Sequence, residues 1–121
     1  MSNRPKILYI DDESDLLNLA ASFFEDEDMP IDTSTNIQDA LSKIRNGSYD
    51  LIISDARMPS GSGKELLATI RREKLFAGKF ILLTGNLDYK IGNDEYPYDL
   101  VLFKPLRFQE LVDTVKKMLN S

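Results

Sequence analysis

"ILYIDDESD", Ile7–Asp15, runs from an almost wholly apolar stretch straight into four acids within five positions. An apolar run of strand length with no polar alternation reads as a strand buried on both faces, as in a parallel sheet. Such a strand delivers Asp11 and Asp12 to the edge of the core, where adjacent carboxylates are costly unless something compensates them.

Outward from this stretch, similar runs recur. The strands expected are Lys6–Ile10, a weaker Ile31–Thr35, Leu51–Ser54, Phe80–Thr84 and Leu100–Phe103. Segments of helical period lie between them. Leu16, Leu17, Ala20, Phe23 and Phe24 form one apolar stripe. Ile37, Ala40, Leu41 and Ile44 form a second, introduced by Thr35-x-x-Gln38 as a capping box and stopped by Gly47. Leu66, Leu67 and Ile70 follow a "GSG" at Gly61–Gly63, read as a flexible lead into the helix rather than a phosphate loop. Phe108, Leu111, Val112, Val115, Met118 and Leu119 make the last stripe, with Lys116 and Lys117 toward the helix's negative end. A β-α-β-α series predicts an α/β fold: an open parallel sheet with helices on both faces. Between Gly85 and Asp99 the period fails, and at most a short or frayed helix is expected.

In an open parallel sheet, ligands sit beyond the carboxyl ends of the strands. Here those ends carry Asp11–Asp12, Asp55, Thr84 and Lys104–Pro105. Two carboxylates ~4 Å apart repel by about 4 kcal/mol at an effective dielectric of roughly 20, against a total stability of about 5–15 kcal/mol for a domain. Protonation of one acid would relieve this. So would a hard divalent cation, and Mg²⁺ takes one or two carboxylates while leaving positions for phosphate oxygens. Asp55 could then attack phosphorus to give an aspartyl phosphate, with Lys104 and Thr84 of the right types to compensate the transferring group. Each residue also has a plainer explanation: Asp11 or Asp12 as a helix cap, Asp55 and Lys104–Pro105 as turn residues, Thr84 as a hydroxyl satisfying a strand end. Four strand ends agreeing on one chemistry favour the shared pocket.

Composition narrows the alternatives. There is no cysteine and no histidine, which excludes disulfides, thiolate or imidazole metal sites and Ser/His/Asp nucleophile systems. The 121 residues, 42% hydrophobic, fit one domain spanning 1–121. A net charge of −5 argues against nucleic acid as a partner of this chain. No apolar run is long enough to span a bilayer and "MSNRPK" lacks a signal-peptide core, so membrane insertion is not expected and the expected location is cytoplasmic. The acids Glu25–Asp28 read as a solvated helix end, and Arg57 as an exposed residue at the pocket rim.

The ordered set "DDE" at Asp11–Glu13, Asp55 followed by "MP" at Met58–Pro59 and by Gly63, "TG" at Thr84–Gly85 and "KP" at Lys104–Pro105 resembles a receiver domain of the two-component response regulators over essentially the whole chain. The resemblance implies a flavodoxin-like, doubly wound sheet of five strands in the order 2-1-3-4-5, and a cis Lys104–Pro105 peptide. It implies Asp55 as phosphoacceptor, Asp12 as a direct Mg²⁺ ligand, Asp11 as a ligand through water and the Arg57 backbone carbonyl completing the metal sphere. Lys104 would contact the phosphoryl group and Thr84 would move toward it. The donor would be a histidine kinase or a histidine phosphotransfer protein. With no output domain in the chain, the signal would pass to a downstream protein target, along a relay, or into a phosphoryl sink. Such a protein is no conventional enzyme, since it catalyses only its own phosphorylation and dephosphorylation.

Three positions depart from the family pattern. Val101 stands where a switch Tyr or Phe is usual, with Tyr96 or Tyr98 the candidates to replace it. The Thr84–Lys104 interval is about two residues short, which points to a degenerate fourth helix. Gly61 stands where an apolar residue is common. Two other functions compete. A metal-dependent phosphohydrolase would want a second acid at position 57, which is Arg57. A receiver-like binding module would work without phosphorylation.

Overall fold

The computed structural model describes residues 4–85 and 98–120. Five parallel strands form the main sheet: β1 (Ile7–Ile10), β2 (Ile31–Ser34), β3 (Leu51–Asp55), β6 (Lys79–Thr84) and β7 (Leu100–Phe103), in the order β2-β1-β3-β6-β7. That is the order 2-1-3-4-5 expected. β4 (Arg57–Met58) and β5 (Gly61–Ser62) pair antiparallel as a separate small hairpin. Four helices are described: α1 (Ser14–Asp26), α2 (Ile37–Asn46), α3 (Gly63–Arg72) and α4 (Phe108–Leu119). The fourth helix of the family pattern, and Tyr96 with it, fall among residues outside those described. No helix among the described residues is long and apolar enough to cross a membrane.

The unbroken apolar runs are explained by burial on both faces. Leu8, Ile10, Ile52, Phe80 and Leu82 point to one side, where α2 contributes Ala40 and Ile44 and α3 contributes Leu66, Leu67 and Ile70. Ile7, Tyr9, Leu51, Ile53, Ile81 and Leu83 point to the other, where they meet α1 and α4. Alternate residues along each strand therefore serve different cores. β2 is an edge strand and only Ser34 in it is buried, which is why its sequence reads weakly.

On the second face, the first and last described helices are neighbours. Leu17, Ala20 and Phe24 of α1 share a cluster with Leu111, Val112 and Val115 of α4. At the rim the Phe23 and Phe108 rings lie 5.7 Å apart, and Lys116 Nζ meets Glu27 Oε1 at 2.9 Å. The "EDED" end of α1 is thus largely solvated, as expected, but Glu27 is tied to α4, and its carboxyl is held below the usual range by the hydrogen bond and charge of Lys116.

Two local expectations are corrected. The cap of α2 is Asn36, whose side chain accepts from the Asp39 N–H at 2.8 Å; the expected Thr35–Gln38 box lies one residue too early. Asn and Thr are both good caps, and the helix begins where Ile37 can first turn inward. The "GSG" is not a flexible lead. Gly61 and Ser62 form β5, Ser62 caps α3 by accepting from Glu65 N–H at 3.1 Å, and Gly63 is buried. A Cβ at Gly63 would lie 2.7 Å from both the Asp55 carbonyl oxygen and Leu82 Cδ1.

Gly63 therefore sets how closely α3 approaches the end of β3. Gly63→Ala should destabilise the fold by about 1–3 kcal/mol through overpacking, read as a lower urea midpoint. Gly85→Ala, with nothing within 4 Å of its added Cβ, should change stability by less than about 1 kcal/mol.

Candidate functional site

The parallel register decides what meets at the carboxyl edge. Ile10 pairs with Ser54, Asp55 with Leu83 and Thr84 with Phe103, so β1, β3, β6 and β7 end nearly level. Asp55 is the last residue of β3, one position further into the strand than its expected end. Asp11 follows β1 and its N–H donates to the Ser34 carbonyl at 3.0 Å. Lys104 follows β7 and its N–H donates to the Thr84 carbonyl at 2.8 Å. The Lys104–Pro105 peptide is cis, as the family resemblance implies.

The side chains converge as well. A carboxylate oxygen from each of Asp11, Asp12 and Asp55 lies within 4.8 Å of the others. Lys104 Nζ is 2.6 Å from Asp55 Oδ1 and 3.6 Å from Asp11 Oδ2. The first is a short charge-assisted hydrogen bond; the second is an ion pair beyond hydrogen-bond reach. Asp11 Oδ1 accepts from the Glu13 N–H at 3.0 Å, closing a turn ahead of α1. That accounts for half of the plainer explanation of Asp11. Its other oxygen, Oδ2, is the one buried side-chain polar atom among the described residues with no hydrogen-bond partner. The α1 cap position itself is Glu13, which makes no side-chain capping bond.

Electrostatics follow from this crowding. Burial pushes the Asp55 carboxyl up from its ordinary value; the Lys104 hydrogen bond opposes that, and the charges of Asp11 and Asp12 add to it. Burial works against the Lys104 ammonium, but the hydrogen bond and charge of Asp55, with Asp11 beyond, outweigh it and hold the lysine above its usual range. Tyr9 is a neighbour of the acids that the sequence did not reveal. Its buried phenol is pushed up by desolvation and by the charges of Asp11 and Asp55. A tyrosine inside an apolar strand reads as core, and nothing in its spacing marks the nearby pocket.

Among the described residues, three carboxylates against one ammonium leave two negative charges without an ion pair. A buried oxygen without a hydrogen bond, an all-oxygen donor set and one exposed ligand, Asp12, suit a hard divalent cation that keeps several waters. Beside the acids lies a cavity of about 470 Å³ lined by Asp55, Ala56, Arg57, Thr84, Gly85 and Lys104, among others. Thr84 is buried, and the Arg57 side chain is exposed at the rim as expected. Val101 and Tyr98 are elsewhere. Both are buried in the core on the α2–α3 side, Tyr98 packing on Phe80 with ring centres 6.4 Å apart. Tyr98 thus sits in the core on that side rather than among the residues lining the cavity.

Comparison with known proteins agrees with this geometry. The family profile of the response regulator receiver domain matches residues 7–116. The chain is similar to the transcriptional regulatory protein ResD of Bacillus subtilis, 33% identical over 98% of this chain and 50% of that protein, so it spans about half the length of that relative. Among solved structures it is similar to the response regulator TrrA of Thermotoga maritima in complex with Mg²⁺-BeF, with 37% identity, a TM-score of 0.81 and coverage of 94% of this chain and 98% of that one. A two-component response regulator from Clostridium difficile superposes with a TM-score of 0.86 at 31% identity, covering 97% of each chain. With its fold, its acidic pocket and its sequence in agreement, the chain belongs to the response regulator receiver domain family of two-component systems.

Proposed function

We propose that residues 1–121 form a single receiver domain that accepts a phosphoryl group on Asp55 from a phosphohistidine donor, in a Mg²⁺-dependent reaction. The observation that carries this is the convergence at Asp55: an ammonium 2.6 Å from one carboxylate oxygen, two further carboxylates within 4.8 Å, and a cavity bordered by Thr84 and Lys104. The TrrA structure, with Mg²⁺ and a beryllofluoride group, supports the same chemistry by similarity.

Asp11, Asp12, Asp55 and the Arg57 backbone carbonyl would hold Mg²⁺, which when bound neutralises the acids and the charge of the incoming phosphoryl oxygens. A carboxylate oxygen of Asp55 forms the new O–P bond while the P–N bond of the donor phosphohistidine breaks. The electron pair returns to the imidazole nitrogen, which is protonated from water. Lys104, already ion-paired with Asp55, shifts its charge onto the transferred group, and the Thr84 hydroxyl at the same cavity wall donates to a phosphoryl oxygen. Water attack on the aspartyl phosphate reverses the modification, with exposed Arg57 at the entrance. The donor is a histidine kinase or a histidine phosphotransfer protein, and the phosphorylated state is read by a downstream protein.

A second function, binding a partner without phosphorylation, is favoured by one observation: Val101, in place of the usual aromatic, is packed into the core and offers no side chain to reorient. Partner binding indifferent to Asp55→Ala would select it.

Incubation with Mg²⁺ and phosphoramidate, followed by intact-mass spectrometry, should show one added phosphoryl group, lost in Asp55→Asn and on chelation. Wild type that stays unmodified while folded and metal-bound overturns the phosphoacceptor assignment. Lys104→Ala should slow phosphorylation on the order of 100-fold, by loss of a preorganised charge at the reacting centre. Mg²⁺ alone should raise the thermal midpoint, by about 2.7 kcal/mol of added stability at a hundred times the dissociation constant. Asp12→Asn should erase that rise.

A further inference from the structure

The hairpin that follows Asp55 is anchored at its tip. β4 and β5 are joined by Pro59–Ser60, and Ser60 Oγ accepts a hydrogen bond from the Ile37 N–H at 3.0 Å. Ile37 opens α2, so its N–H is one of those a helix leaves without an internal partner. The cap residue Asn36 satisfies Asp39 instead, which leaves the Ile37 N–H to Ser60. Gly61 makes the approach possible. Its φ is +144°, in the region that favours glycine, and a Cβ there would lie 3.3 Å from Ile37 Cγ1. The departure at Gly61 thus has a structural use: it lets the hairpin close onto α2.

The same junction reaches the acids. The Asp11 N–H donates to the Ser34 carbonyl, and Ser34 Oγ lies 2.7 Å from Asp39 Oδ2 and 3.0 Å from the Asn36 carbonyl oxygen. The Asp11 backbone is therefore linked to the hairpin tip at Ser60 by successive hydrogen bonds carried across Ser34 and the Asn36–Ile37 peptide. We infer that Ser60 is a positioning residue: by clamping the β4–β5 hairpin to the first turn of α2, it holds the Arg57 backbone against the acidic triad and strengthens Mg²⁺ binding. This rests on the Mg²⁺ site proposed above. Partners that orient metal ligands from behind commonly change affinity by 10-fold or more when removed, about the scale expected here.

Binding linkage is reciprocal: if the clamp favours the metal, the metal favours the clamp. The test is calorimetric titration with Mg²⁺ alone of wild type, Ser60→Ala and Ser60→Thr, alongside amide exchange at Ile37. Ser60→Ala should bind Mg²⁺ about tenfold more weakly, with nearly unchanged urea midpoint, and Ser60→Thr, which keeps the hydroxyl, should restore affinity. In wild type, Mg²⁺ should slow exchange of the Ile37 amide. Equal affinities for wild type and Ser60→Ala overturn the clamp while leaving the metal site intact. No Mg²⁺ binding by wild type overturns both. Ile37 exchange indifferent to Mg²⁺ overturns the clamp without any variant, even should Ser60→Ala fail to fold.

Discussion

Like charge held in a confined place is the constraint on which this molecule turns. Asp11 and Asp55 are both nearly inaccessible to water, Asp12 stands beside them, and one ammonium answers three carboxylates. The sheet enforces this. Parallel strands with level ends leave no choice about where the residues after Ile10, Ser54 and Phe103 point, and the burial of both faces holds those ends rigid. Core packing thus maintains a cluster that electrostatics alone would disperse. A site kept in this state is poised to gain from any cation that reduces its charge, the condition on which the proposed phosphoryl transfer rests.

Much of this was legible in the chain because strand ends are sharp in sequence. An apolar run that stops at Asp11, Asp55, Thr84 or Lys104 announces both the element and its chemistry, and the order of the five strands followed from the family pattern. β2 was faint because an edge strand needs only one buried residue, Ser34, to hold its place. The role of Gly63 was hidden for a different reason. Glycine in a sequence signals freedom, whereas here it signals proximity, to the Asp55 carbonyl and Leu82, and proximity is a property of the assembled layers. Tyr9 was hidden likewise, since its distance to Asp11 and Asp55 depends on the pleat and not on spacing. The α2 cap was missed by one position because Thr35 and Asn36 are chemically equivalent candidates and only the direction of Ile37 separates them.

Family membership and local departure also separate cleanly in space. Residues that match the family sit at the carboxyl edge: Asp11, Asp12, Asp55, Thr84 and Lys104. Two departures among the described residues lie away from that edge. Val101 fills core volume beside Tyr98 and Phe80, and Gly61 fits the hairpin against Ile37. Chemistry tolerates little variation because several groups must agree within a few ångströms, while the surfaces that report on it can be rebuilt residue by residue.

The pairing of α1 with α4 across one face has a consequence for how the chain is made. Leu17, Ala20 and Phe24 leave a ribosome before four of the five strands, yet Leu111, Val112 and Val115, which share their cluster, follow the last strand. Until then one side of the nascent sheet is only half covered, and the α2–α3 side can consolidate first. Closing that face therefore takes a late docking step by α4, and a chain stopped before α4 would carry an open apolar surface fit for chaperone capture.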